Sequence, residues 1–362
     1  MVRIHRKIIM EEITKIGFNS ILQMPKIDLH RHLEGSIRIN TLYQLAKEIG
    51  LDICSISDLS SKVQILPSQS YTLDNFLSKF AFLRKFYQSK EIIQRITQEC
   101  IEDAIQDNLK YLELRFSPSA LTSSNHFQFD DVISWIIEEI SAKSSNTDLI
   151  VRTIVSINRH EPVEKAEVIF REASQFKSEG LIGFDLSGDE ANFQAAPFIS
   201  LFHRAKTEDF YITIHAGEWG PASNILQAID QFRADRIGHG VHVLEDVHVL
   251  EIAKKLEIPF EVCITSNFQS GIADIVSDHP IKKMISSELK VTLNTDDPSI
   301  SNIRLTDEFA YLNHKLGISI PQIFLISKNS IEASFLGSFE KQGLLKSFST
   351  AFSLWQKDSV SF

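Results

Sequence analysis

The chain has 362 residues, 43% apolar and 23% charged, with a formal net charge of −10 at pH 7. This predicts a soluble globular protein with a full core, long enough for one large α/β barrel or two ordinary domains. The acidic excess and the lack of a Lys/Arg-rich run argue against a nucleic-acid surface, and no run approaches the roughly 20 apolar residues of a membrane span.

Residues 1–25 predict a lead-in helix ending at Pro25; Glu11 and Glu12 interrupt the apolar run a signal peptide would need. Lys26–His30 reads as a strand, within Ile27-Asp28-Leu29-His30-Arg31-His32-Leu33-Glu34-Gly35. Side chains alternate along a strand, so His30 and His32 share a face and could form half of a zinc site. The same pattern also occurs on wet strand faces that bind nothing. Residues 35–108 predict a mostly helical insertion. In it Leu73, Phe76, Leu77, Phe80, Leu83, Phe86 and Tyr87 recur near helical spacing. The plain reading is a buried helix face; the functional one is an apolar lid over a pocket.

From residue 109 strands and helices alternate. Strands are expected at Leu109–Phe116, Leu149–Ile157, Leu181–Leu186, Phe210–His215, Arg236–His239, Pro259–Cys263 and Lys290–Asn294. Helices are expected at Phe129–Lys143, Val163–Ser178, Ser223–Gln231 and Val247–Leu256. With Lys26–His30 this makes eight strands separated by helices, which predicts a parallel sheet closed into a (β/α)8 TIM barrel. An open doubly wound sheet is the competing arrangement. The barrel is preferred because polar residues follow many different strands, where barrel active sites sit. Residues 303–362 predict C-terminal helices packed against the outside. No linker divides the chain, so 1–362 is read as one domain. Cys54, Cys100 and Cys263 are odd in number and form no C-x-x-C pair. Neither a disulfide framework nor a cysteine zinc site is expected, and a reducing cytoplasm is the expected compartment.

In a barrel, strands one, five and eight deliver His30, His32, His215 and Asp296 to one mouth. Three imidazoles and a carboxylate could then hold one Zn2+ per chain and leave a position for water. Taken alone, His215 reads as structural, and Asp296-Asp297-Pro298 reads as a helix cap. Two helpers are needed. His239 is the candidate that orients the water, against a reading as a core histidine between glycines. Glu218 is the candidate general acid, against a reading as a solvated loop carboxylate.

These residues fall in four of seven blocks that run in order over about residues 24–340. They are His30-Arg31-His32-Leu33-Glu34-Gly35, Glu113-Leu114-Arg115-Phe116-Ser117-Pro118, Asp185-Leu186-Ser187-Gly188-Asp189-Glu190, His215-Ala216-Gly217-Glu218, Arg236-Ile237-Gly238-His239-Gly240, Cys263-Ile264-Thr265-Ser266-Asn267 and Leu293-Asn294-Thr295-Asp296-Asp297-Pro298. Together they resemble the adenosine deaminase family. The resemblance implies hydrolytic conversion of adenosine or 2′-deoxyadenosine to the inosine product and ammonia, in purine salvage. It implies His30, His32, His215 and Asp296 as zinc ligands, Glu218 as proton donor to the purine ring, and His239 as holder of the attacking oxygen. His32 would also border the substrate. Asp297 would bond the five-membered ring, the Gly188 backbone the six-membered ring, and Glu34 the ribose, with Phe76, Leu77 and Phe80 covering the nucleoside. The expected partner is thus a small purine nucleoside, with no nucleic acid or membrane; nothing marks an oligomer interface.

Three positions depart from the family pattern. Glu34 stands where many members have Asp, and relatives acting on free adenine also carry Glu there. Those relatives usually have Asp where this chain has Gly238. Trp219 and Ile264 replace a common small residue and a common proline. The alternatives are adenine or a modified adenosine, such as an N6-methylated or futalosine-type nucleoside. A two-metal barrel hydrolase would need a carboxylated lysine, and no lysine ends a strand. The cytidine-type deaminases need a cysteine pair that is absent. An inactive nucleoside-binding relative would tend to lose a ligand or the acid, and none is lost.

Overall fold

A computed structural model describes residues 15–122, 127–273 and 276–360. Of the expected lead-in, residues 1–14 lie outside these; the rest holds a short helix, Phe18–Gln23. Its carbonyl end is satisfied by a buried lysine. Lys26 Nζ donates to the carbonyls of Ile21, Leu22 and Met24 at 3.0, 3.1 and 2.8 Å, where a cation also suits the helix dipole.

Eight parallel strands follow one another around a barrel: β1 Lys26–His32, β2 Leu109–Phe116, β3 Ile150–Asn158, β4 Leu181–Ser187, β5 Tyr211–Ala216, β6 Arg236–His239, β7 Pro259–Val262 and β8 Lys290–Leu293. The order β1 to β8 is sequential, and closure comes just beyond β8. There the Asp296 N–H donates to the His30 carbonyl and the His32 N–H to the Asp296 carbonyl, both at 2.8 Å. Residues expected to meet at a metal therefore also close the cylinder with their own backbones. Among the described residues no helix is long and apolar enough to cross a membrane.

Between β1 and β2 four helices are inserted: Ile39–Glu48, Ile56–Val63, Leu73–Leu83 and Lys90–Gln106. Thr72 caps the third, its hydroxyl accepting the Asn75 N–H at 3.3 Å. That helix buries Phe76 and half-buries Leu77 and Phe80. Helices also follow the later strands, among them Phe129–Ser144, Val163–Ala173, Ala222–Asp230 and Val247–Lys255.

The inside of the barrel departs from the apolar layers usual for this architecture. Glu261 on β7 accepts from Arg115 Nη2 at 2.9 Å and from Arg236 Nε at 2.5 Å. Arg236 also pairs with Glu113, and Arg115 Nη1 lies 3.5 Å from Asp185. All five side chains are shut off from solvent. Each buried charge is tolerated because an opposite charge and several hydrogen bonds replace its water.

The C-terminal helices Leu305–His314, Ile320–Ala333 and Ser338–Val360 pack around the barrel, but the chain between the last two does more. The Phe335 N–H donates to Glu113 at 2.7 Å, and Arg236 donates to the Ala333 carbonyl at 2.8 Å. The Phe335 ring stacks on Tyr211 and lies 3.4 Å below the Arg236 guanidinium. This segment plugs the floor of the barrel and anchors the ion network from below.

Candidate active site

The carboxyl ends of the strands bring together the residues singled out in the sequence. His30 and His32 end β1, His215 lies near the end of β5, and His239 ends β6. Asp296 follows β8. His239 and Asp296 adopt left-handed backbone, with φ of 58° and 64°. Such values are uncommon outside glycine and concentrate at functional sites, where the surrounding structure holds them.

One donor atom each from His30, His215, His239 and Asp296 lies within 4.8 Å of the others. His32 belongs to an overlapping group with Asp185 and His215, and its Nε2 lies 3.5 Å from Asp296 Oδ1. The His30–His215 ring centroids are 4.7 Å apart, and those of His30 and His32 are 5.3 Å apart. Orientation narrows this set. His30 Nδ1 is bonded to Glu261 Oε2 at 2.7 Å and His215 Nδ1 to Asp185 Oδ1 at 2.9 Å. Each bond fixes the tautomer and turns Nε2 toward the cluster, the usual arrangement behind a metal-binding histidine. With its proton on Nδ1, His30 makes no hydrogen bond through its buried Nε2, which presents a lone pair 3.2 Å from Asp296 Oδ1. Ser266 holds the other Asp296 oxygen at 2.6 Å. Imidazole nitrogens, one carboxylate and an orphaned buried nitrogen fit a small divalent ion of the zinc type.

Beside the cluster, Asn267 Nδ2 bonds both Glu218 Oε1 at 3.0 Å and His239 Nδ1 at 3.1 Å. Burial holds His239 and His32 well below the usual histidine range. Burial, and then the charges of Asp296 and Glu190, push the Glu218 carboxyl well above the usual carboxylate range. A carboxyl whose ionised form is disfavoured by burial, beside an imidazole whose charged form is disfavoured in the same way, is suited to donating a proton.

These groups open onto a pocket of about 240 Å³. Phe76, Leu77 and Phe80 form one wall; Gly188 and Trp219 lie on another. Glu34 Oε1 accepts the Ser117 N–H at 2.6 Å, while its Oε2 and Asp297 Oδ1 are buried without partners. Asp297 starts the short helix Pro298–Ser301, but its side chain makes no capping bond, so the plain reading of this carboxylate does not hold. Burial raises Glu34 to about 7; burial and then Asp296 push Asp297 well up. Trp219 lines the pocket.

Sequence reasoning gave no role to Glu261, and none to Asp185, Glu190 and Asn267 beyond their places in the motifs. A buried carboxylate in the middle of a strand such as β7 was the one available signal.

Residues 25–351 match the sequence profile described as adenosine deaminase. The chain belongs to the adenosine deaminase family. An adenosine deaminase from Clostridium kluyveri is 32% identical over 343 residues, 93% of this chain and 97% of the relative. Among solved structures, the N6-mAMP deaminase of Arabidopsis is 28% identical with a TM-score of 0.83, over 92% of this chain and 99% of that one. The adenine deaminase of Arthrobacter aurescens is 25% identical with a TM-score of 0.82, over 90% and 98%. As a member of the adenosine deaminase family the chain is a hydrolytic deaminase, and its donor cluster suits the metal on which that family depends.

Proposed function

We propose that the chain converts adenosine and 2′-deoxyadenosine to inosine or deoxyinosine and ammonia, using one zinc ion held by His30, His32, His215 and Asp296. The observation that carries this is the shared pocket: a buried carboxyl, a buried histidine and the donor cluster face an apolar wall across a space suited to a purine. When bound, such an ion lowers the pKa of a coordinated water to about 7.

The chain's own residues do the rest. Glu218 donates its proton to the ring nitrogen beside the amino-bearing carbon, which makes that carbon electrophilic. With Asn267 donating to His239 Nδ1, the ring proton sits on Nε2. His239 can then only donate, which suits holding a water oxygen by its lone pair. Over one turnover the water supplies two protons: one leaves on the ammonia, and the other replaces the proton that Glu218 gave to the ring nitrogen. Asp297, whose ionised form is disfavoured by burial and by the neighbouring Asp296, donates in its protonated form to the unprotonated nitrogen of the five-membered ring. The Gly188 backbone contacts the six-membered ring, and Glu34 Oε2 accepts from a ribose hydroxyl. His32 borders the sugar as well as the ion. Phe76, Leu77 and Phe80 act as a lid that keeps water away from the reacting carbon. Free Cys54, Cys100 and Cys263 support a reducing cytoplasm, where this reaction would serve purine salvage.

The second reading is free adenine or an N6-methylated adenosine, favoured by Glu34 and by the fold shared with the two solved deaminases. Gly238 weighs against the adenine version. A Cβ there would lie 3.2–3.3 Å from His215 and His30, so an aspartate would crowd both ligands. The test is a panel of adenosine, 2′-deoxyadenosine, adenine and N6-methyladenosine with zinc-loaded protein. Inosine must form; turnover of adenine alone would refute the proposal.

A further inference from the structure

We propose that Glu190 is the positioning residue for Glu218, fixing the peptide that carries the proton donor. This rests on the reading of Glu218 given above. Glu190 lies past the end of β4 and is 6% exposed. Its carboxylate accepts from four consecutive peptide N–H groups: Gly217 at 2.7 Å, Glu218 at 3.0 Å, Trp219 at 3.1 Å and Gly220 at 3.2 Å. A fifth donor, Asn224 Nδ2, reaches it at 2.8 Å. Successive N–H groups converging on one anion form a nest, and bonds to an ionised acceptor are about twice as strong as neutral ones.

The plain alternative is that Glu190 caps the helix Ala222–Asp230. The backbone bonds run elsewhere, and only the Asn224 side chain reaches Glu190 from within that helix. The four peptide N–H groups belong to residues 217–220, ahead of the N-cap Pro221, and one is the amide of Glu218 itself. The packing is built around this contact. A Cβ at Gly220 would lie 2.7 Å from Glu190 Oε1 and 2.4 Å from Asn224 Nδ2, so only glycine lets the peptide approach so closely. Among the described residues the Glu218 carboxyl is hydrogen-bonded by Asn267, with His239 Nδ1 3.4 Å from the same oxygen, so its placement depends heavily on its backbone being held. Gly188 lies two residues before Glu190 on the same loop. The segment proposed to touch the purine ring therefore also braces the group that protonates it.

Glu190→Gln keeps the size but places an NH2 among five donors, so whichever way the amide turns, N–H groups face N–H groups. The expected result is a fall in kcat of about 100-fold, the cost of misplacing a reacting group by about 1 Å. KM, inosine binding by titration calorimetry and bound metal should stay within about threefold of the parent, because none of those contacts is removed. The deciding measurement is a double-mutant cycle with Glu218→Gln. If Glu190 acts through Glu218, Glu190→Gln has no further effect on kcat in that background. An equal loss in both backgrounds overturns the proposal while leaving the deaminase reading intact. Full turnover by Glu218→Gln alone overturns both. Should Glu190→Gln fail to fold, Asn224→Ala, which loosens one carboxylate oxygen, is put through the same cycle. A kcat loss confined to the Glu218 background supports the proposal; no loss, or an equal loss in both, overturns it.

Discussion

Replacing Glu261 with glutamine probes how the barrel interior sets up the metal site. Glu261 is wholly buried and accepts from His30 Nδ1, Arg115, Arg236 and the Thr213 hydroxyl. A glutamine has one oxygen to share among these four donors. If it faces His30, its NH2 opposes Arg236 and Thr213. If it faces Arg236, the NH2 opposes His30, which must move its proton to Nε2 and can no longer ligate. Loss of such an outer partner typically weakens metal binding about 10–100-fold, or about 1.4–2.8 kcal/mol. Separately, Arg115 and Arg236 lose a buried counter-charge, which costs about 3–5 kcal/mol of stability. The two effects are measured apart. Competition with a chromophoric zinc chelator at neutral pH reports affinity, and thermal unfolding of the metal-free forms reports stability. A variant that melts earlier yet binds zinc within about twofold of the parent would refute the claim that Glu261 sets the His30 tautomer.

Other expectations follow from the same geometry. Glu218→Gln should lose at least about 100-fold in kcat while still binding metal and inosine; retained turnover removes Glu218 as the acid. Because burial raises the Glu218 carboxyl and only its protonated form can donate, the alkaline limb of kcat should fall as pH rises through that raised value. A kcat that climbs steadily into the alkaline range contradicts this. Dialysis against a chelator should abolish turnover and added zinc restore it; full activity in metal-free protein would exclude the proposed site. Phe76 is buried and Leu77 only half-buried, so their alanine variants should differ. Phe76→Ala should cost about 3–5 kcal/mol of stability, seen in denaturant melts. Leu77→Ala should mainly raise KM, and an unchanged KM would detach that helix from the substrate.

Much of the site was written locally in the chain. The His30/His32 pair is legible because strand alternation alone puts both on one face. Short β-branched strands ending in polar residues announce a parallel barrel with chemistry at its carboxyl rim, and His215, Glu218, His239 and Asp296 all stand at such ends. The Phe76, Leu77 and Phe80 spacing marks a helix face. These signals survive in sequence because each depends only on neighbours a few residues apart.

What the folded chain alone decided is the support behind those groups. Glu261 reaches His30 across 231 positions, and Glu190 reaches Glu218 across 28. Both look like ordinary carboxylates until burial removes their water and leaves protein donors as the only solvation. The closure of β8 onto β1 through the backbone of Asp296, and the floor plug at Phe335, likewise exist only once the cylinder is shut. Residue order determined which chemical groups this protein carries. Long-range burial decided which of them are held still, charged or neutral, because a side chain's ionisation and orientation depend on what replaces its water.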